Sequence, residues 1–226
     1  MACALGSSRA HFIHPEFDRR GVALTGPKSY DEEYFRRWYH DPARRVIQPA
    51  AVARKVNLVM GIAESLLERP IRSVLDVGCG EAPWRAHLLR ARPRLRYVGV
   101  ESSEYAVQRF GASRGIVQGT FGSLGALGLH GPFDLVVVCD VLHYVPTAEL
   151  TPGLAAISSL LGGVAYLEAY TTTDEIEGDH ADWHHRSAGA YLRHFARAGL
   201  HHVGMHCYVG DDIAEASAAL ERGQSS

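Results

Sequence analysis

The first residues able to do chemistry lie in Ser73-Val74-Leu75-Asp76-Val77-Gly78-Cys79-Gly80-Glu81. Two glycines separated by one residue let the backbone turn tightly and leave no Cβ between it and a ligand. Glu101 follows Gly80 by twenty-one residues, at the end of Tyr97-Val98-Gly99-Val100. A carboxylate so spaced from a glycine turn belongs at the tip of the neighbouring strand, where it accepts both hydroxyls of a ribose. The turn itself is acidic, and Pro83 followed by Trp84 stands where a dinucleotide site would place its third glycine. A pyrophosphate favours a neutral or basic turn, whereas Asp76 and Glu81 suit a nucleoside that brings a cation, such as an amino group or a sulfonium. A glycine turn of the same shape that binds nothing is the bland alternative.

Two later stretches supply acid–base groups. Asp140-Val141-Leu142-His143-Tyr144 follows the apolar run Phe133–Cys139, and His143 is the natural candidate general base because imidazole titrates near neutral pH. The competing reading makes His143 structural. The loop from Glu168 to His185 crowds acids, imidazoles and aromatics together, His180 and His184 among them. These two histidines are four apart and could share a helical face as metal ligands with Asp179 or Asp182. No strict metal motif accompanies them, so His180 and His184 read as substrate-contacting or proton-accepting groups and no metal is expected.

Elements of alternating type must position these residues. Strands are predicted at Ser73–Val77, Tyr97–Val100, Ile116–Val117, Phe133–Cys139, Val164–Glu168 and within Leu200–Val209. Helices are predicted at Pro49–Glu68, Trp84–Arg90, Ser103–Phe110, Thr147–Leu161 (with Gly162-Gly163 as its stop), Ser187–Ala198 and Ile213–Leu220. Such alternation predicts an α/β fold, a doubly wound, mostly parallel, Rossmann-like sheet with ligands at the carboxyl ends of the strands. A helical N-terminal extension precedes it. Residues 1–48 divide into an arm and a lid helix, and residues 49–226 form the α/β domain. The lid helix, Ser29 to Tyr39, begins with a capping-box pattern, Ser29 and Glu32, and gathers Tyr34, Phe35, Trp38 and Tyr39 on one face. It either covers the nucleoside site with a tyrosine hydroxyl, Tyr30 included, reaching the ligand, or simply docks through its aromatics.

At these residues the chain resembles the class I S-adenosylmethionine-dependent methyltransferases, small-molecule type. Val74-Leu75-Asp76-Val77-Gly78-Cys79-Gly80 is a near-full match to their first motif, and the resemblance covers roughly residues 50 to 210. It implies S-adenosylmethionine as cofactor, with Asp76, Gly78 and Gly80 at its methionyl end and Glu101 on its ribose. Asp140 stands at the family's substrate-facing corner, within reach of the cofactor. The family often places an acid after the third strand for the adenine amino group. Thr120 stands there instead, so its hydroxyl or the Phe121 amide would serve, with the Phe121 ring packing either on the base or in the core. The family's closing antiparallel strand is either a sharp turn back through Met205–Val209 or absent.

The resemblance implies an enzyme that moves a methyl group to an oxygen or nitrogen of a small molecule, possibly in natural-product biosynthesis. The alternatives are a protein or RNA modifier and a nucleoside-binding module without turnover. Asp140–Tyr144 lacks the Pro-Pro of base-directed enzymes, and Cys139 lacks the setting of a cytosine-attacking thiol, so it reads as a buried strand residue. A net charge of −2 over 226 residues provides no general attraction for nucleic acid or anionic membrane. The arginines from Arg85 to Arg96 read as a solvated helix end rather than as a binding patch. Four scattered cysteines without a C-x-x-C pair suggest reduced thiols, hence a cytoplasmic protein, and no apolar run has membrane-spanning length. A monomer or homodimer is expected.

Overall fold

The computed structural model describes residues 28–175 and 181–217. The N-terminal arm to residue 27, Asp179 and His180 therefore lie outside the described residues. The helices are α1 (Glu32–Phe35), α2 (Pro49–Leu67), α3 (Pro83–Ala91), α4 (Glu104–Arg114), α5 (Thr147–Leu160), α6 (Ala188–Arg197) and α7 (Asp211–Ala216). The strands are β1 (Ser73–Val77), β2 (Arg96–Glu101), β3 (Ile116–Gln118), β4 (Phe133–Cys139), β5 (Leu161–Glu168), β6 (His201–Gly204) and β7 (Cys207–Val209).

They form one seven-stranded sheet in the order β3-β2-β1-β4-β5-β7-β6. Strands β1 to β5 pair in parallel, and β7 alone runs antiparallel, between β5 and β6. The central strands are apolar on both faces because helices cover both. Leu75, Val77, Val136 and Val138 pack with Leu154 and Phe195 of α5 and α6. Val74, Leu135 and Val137 pack with Val56, Val59, Trp84 and Leu88 of α2 and α3. Strand order reverses between β1 and β4, which opens a crevice at their carboxyl ends.

The closing strand exists. Gly204, Met205 and His206 all adopt positive φ, and this tight reversal folds β7 back against β6 and β5.

Two local expectations are corrected. The lid helix is capped by Asp31 rather than Ser29: the Asp31 carboxylate accepts the Tyr34 N–H at 3.0 Å, and a π-helical turn, Arg36–His40, continues α1. Gly162-Gly163 is not a helix stop but part of β5. A Cβ on Gly163 would lie 2.2 Å from the Asp134 carbonyl oxygen, so β4 and β5 approach where only glycine fits. Gly163→Ala is therefore expected to destabilise the fold by about 1–3 kcal/mol, as overpacking against immovable backbone does. A urea midpoint equal to that of the wild type would contradict this account.

Candidate active site

The crevice at the carboxyl ends of β1 and β4 is a cavity of about 800 Å³, within the roughly 300–1,000 Å³ of small-molecule sites. Asp76 lines it from β1, Gly78 and Cys79 from the turn that follows, Cys139 from the end of β4, and Asp140 and Tyr144 from the segment after it. Tyr34, Trp38 and Tyr39 close it from the N-terminal helix, and Lys55 enters from α2. The lid helix is tied to the glycine turn by His40, whose Nε2 lies 2.8 Å from Glu81 Oε1.

The turn takes its shape from two left-handed glycines, Gly78 at φ 66° and Gly80 at φ 54°. The Gly78 and Cys79 N–H groups donate to the Val100 carbonyl, which locks the turn onto β2. Glu101 is buried behind it. One carboxylate oxygen accepts the Gly80 N–H at 2.7 Å, and the other accepts the Ser103 N–H at 2.8 Å and the Ser102 hydroxyl at 3.3 Å. A carboxylate has about four lone-pair positions, so acceptor capacity remains. The lid tyrosine that reaches the turn is Tyr39, not Tyr30. A Cβ on Gly80 would sit 2.1 Å from the Tyr39 hydroxyl oxygen. Burial, followed by the charges of neighbouring acids, pushes the Tyr39 phenol well above its ordinary pKa, so it keeps its proton as a hydrogen-bond donor. Tyr30 enters through its backbone: its carbonyl accepts the Ser103 hydroxyl at 2.5 Å.

Two carboxyl groups on the cavity wall hold protons unusually well. Burial pushes Asp76 up to about 7, against the pull of the Tyr97 hydroxyl bonded to it at 2.7 Å. Burial and the charge of Glu168 push Asp140 up to about 6, with Lys55 and Lys28 opposing. Asp140 also adopts φ 62°, a left-handed backbone at a strand end that no sequence signal announced.

Behind Asp140 lies His143, fully buried among the rings of Tyr144, Tyr170 and Trp183. Its Nε2 stands 3.4 Å from Asp140 Oδ1, and it does not line the cavity. The His143 carbonyl accepts the His184 N–H at 2.7 Å, which brings the half-buried His184 beside the site by its backbone. Thr120 and Phe121 lie away from the cavity. Thr120 is exposed and caps the 3-10 turn Phe121–Ala126, while the Phe121 ring is buried against Gly153 of α5. Among the described residues no three His, Cys, Asp or Glu side chains converge to hold a metal ion.

Two clusters escaped sequence reasoning. Register sets Cys139 beside Glu168, and Lys55 reaches over from α2 to bond Glu168 at 2.5 Å. The Cys139 thiol donates to the same carboxylate at 2.9 Å, and burial pushes its pKa up, so it stays a thiol. Although burial works against it, donation by Cys139 and Lys55 holds Glu168 below the ordinary range and ionised. Arg186 is buried and donates to the Leu142 and Val145 carbonyls and to the Thr147 hydroxyl, clamping the loop that carries His143. Neither a lone helical lysine nor a loop arginine advertises such a partner in sequence.

Residues 75–163 match the family model described as a methyltransferase domain, and these residues run from β1 through α5 to the start of β5. Over that stretch the chain is similar to this domain family. Among curated proteins no sequence relative matches it. Solved structures share the fold of this chain. KedS8, the sugar N-methyltransferase from Streptoalloteichus sp., is 22% identical with a TM-score of 0.56, over 89% of this chain and 95% of its own. DesVI of Streptomyces venezuelae is 18% identical with a TM-score of 0.55, over 72% and 91%. The plantazolicin methyltransferase BamL, solved with S-adenosylhomocysteine (SAH) and a triazolic desmethylPZN analog, is 14% identical with a TM-score of 0.57, over 76% and 75%.

Proposed function

We propose that this methyltransferase moves a methyl group from S-adenosylmethionine to an oxygen or nitrogen of a small molecule. The observation that carries the proposal is the pairing, on one cavity wall, of bare glycine backbone with two proton-holding carboxyl groups, Asp76 and Asp140. Such a wall is wasteful for a neutral or anionic ligand and fits one that brings a positive charge. When bound, S-adenosylmethionine supplies a sulfonium methyl group whose transfer leaves a neutral thioether.

We assign the roles as follows. Gly78, Gly80 and Asp76 hold the methionyl end, Glu101 accepts the ribose hydroxyls, and the Tyr39 hydroxyl donates across the turn. Asp140 faces the acceptor and takes its proton, with the His143 imidazole behind it at 3.4 Å. His184 borders the same loop. The same fold carries sugar N-methylation in KedS8, so amine and hydroxyl sugars head the acceptor library.

Calorimetry with S-adenosylmethionine and SAH tests the cofactor, and mass spectrometry for a gained methylene across that library tests transfer. Absence of heat with both nucleosides would overturn the proposal. His143→Ala is expected to lower turnover with cofactor affinity unchanged, and unaltered turnover would remove His143 from proton transfer.

A pH dependence follows from the two raised carboxyls. Without a bound cation both are protonated below about 7 and about 6 respectively, and a cation binds their ionised forms. S-adenosylmethionine affinity should therefore be highest above neutrality. It should weaken by up to about tenfold per pH unit for each carboxyl below its pKa. Calorimetry at about pH 8 and about pH 5.5 reads this directly; equal dissociation constants would mean that neither carboxyl meets the cation.

A further inference from the structure

At the rim of the cavity three tyrosine rings surround an ammonium group that belongs to the chain itself. Lys28 Nζ lies 3.5 Å from the centre of the Tyr144 ring, 5.1 Å from Tyr30 and 5.3 Å from Tyr34. The rings come from separate parts of the fold: Tyr30 and Tyr34 from the N-terminal lid, Tyr144 from the segment after β4. Tyr30 and Tyr34 meet edge to face at 5.0 Å, and Tyr34 and Tyr144 also line the cavity beside Asp140. Tyr144 follows Asp140 by four residues after β4, so the cage and that carboxyl border the same cavity. Ring faces gathered around one point, with a carboxylate on the same cavity wall, attract alkylammonium groups, whatever molecule carries them.

The attachment of Lys28 explains how its head group can leave. Its backbone N–H donates to the Asp182 carboxylate at 2.9 Å, which anchors the segment independently of the side chain. The four-carbon stem can then swing out while the backbone stays docked.

We propose that the cage of Tyr30, Tyr34 and Tyr144 is an acceptor subsite for an alkylammonium group, and that Lys28 fills it until a substrate's ammonium displaces it. This deepens the transfer reading and rests on it, because it narrows the acceptor to a molecule bearing a cationic amine. The ammonium bound there is a recognition handle, and an amine that is to be methylated must first give up its proton, for which Asp140 is adjacent.

The test uses tetramethylammonium chloride as the probe and tert-butanol as its neutral counterpart, titrated by NMR into the cofactor-free full chain. Lys28→Met removes the competing charge and keeps an apolar stem. It should bind tetramethylammonium about tenfold tighter than the wild type, whereas Lys28→Arg, which keeps the charge, should not. Tert-butanol should show no such gain, and adding Tyr144→Leu to Lys28→Met should abolish it. Saturating SAH should leave the gain intact. Equal binding of the probe to Lys28→Met and wild type would overturn the proposal. So would loss of the gain under SAH, which would assign the cage to the nucleoside's own α-ammonium. No methyl donor or turnover enters the measurement, so its outcome is separable from that of the transfer reading.

Discussion

Glu101→Ala is expected to weaken nucleoside binding by at least about a hundredfold and to lower stability as well. The two effects have different origins. In the ligand-free protein the carboxylate accepts the N–H groups of Gly80 and Ser103, at 2.7 and 2.8 Å, from a position only 6% exposed. Each buried donor left without an acceptor costs about 1–3 kcal/mol. Loss of two charge-assisted bonds to ribose hydroxyls, at about 1.5–3 kcal/mol each, gives the affinity change. Glu101→Gln separates them, since its amide oxygen still accepts one N–H while the charge is gone. Its melting temperature should stay closer to the wild type, with affinity still down by about tenfold or more. Calorimetry with SAH and thermal melts read both quantities. Wild-type affinity in the alanine variant would take Glu101 out of the site.

Gly80→Ala should be comparably damaging. The residue sits at φ 54°, where a Cβ costs roughly 1–2 kcal/mol, and the new carbon would lie 2.1 Å from the Tyr39 hydroxyl oxygen and 2.9 Å from Cζ. Tyr39 must move, and it is half-buried against the turn. The surface on which the nucleoside would rest is also gone. Combining Gly80→Ala with Tyr39→Ala distinguishes these consequences. The double variant should regain part of the stability lost to the clash yet still fail to bind the nucleoside, because the extra carbon remains. Recovery of binding in the double variant would show that Tyr39 alone, not the bare backbone, controls access.

These two positions were legible because their signal is local. A strand, a two-glycine turn and a carboxylate at a fixed separation lie between Ser73 and Glu101. Parallel β1 and β2 bring them together whatever the rest of the chain does. The alternation of apolar runs with amphipathic stretches likewise determined the α/β class and the central position of β4. Short-range periodicity and turn chemistry carry that information without knowledge of any distant partner.

Other features depended on contacts between segments far apart in sequence. Glycines 162 and 163 read as a helix stop, yet Gly163 answers to the Asp134 carbonyl on the neighbouring strand and Gly162 to the Pro132 ring before it. Tyr30 was the lid tyrosine singled out for the ligand, and only the docking of the lid put the Tyr39 hydroxyl against Gly80. Lys55 found Glu168 over 113 residues, and Arg186 reached the His143 loop from more than 40 residues away. The left-handed backbone of Asp140 and the placement of His143 behind its carboxylate belong to the same class. Patterns of 2 and 3.6 residues specify which face of an element is buried. They do not specify which polar groups meet at the sheet edge, because that is set by register, helix docking and loop path acting together.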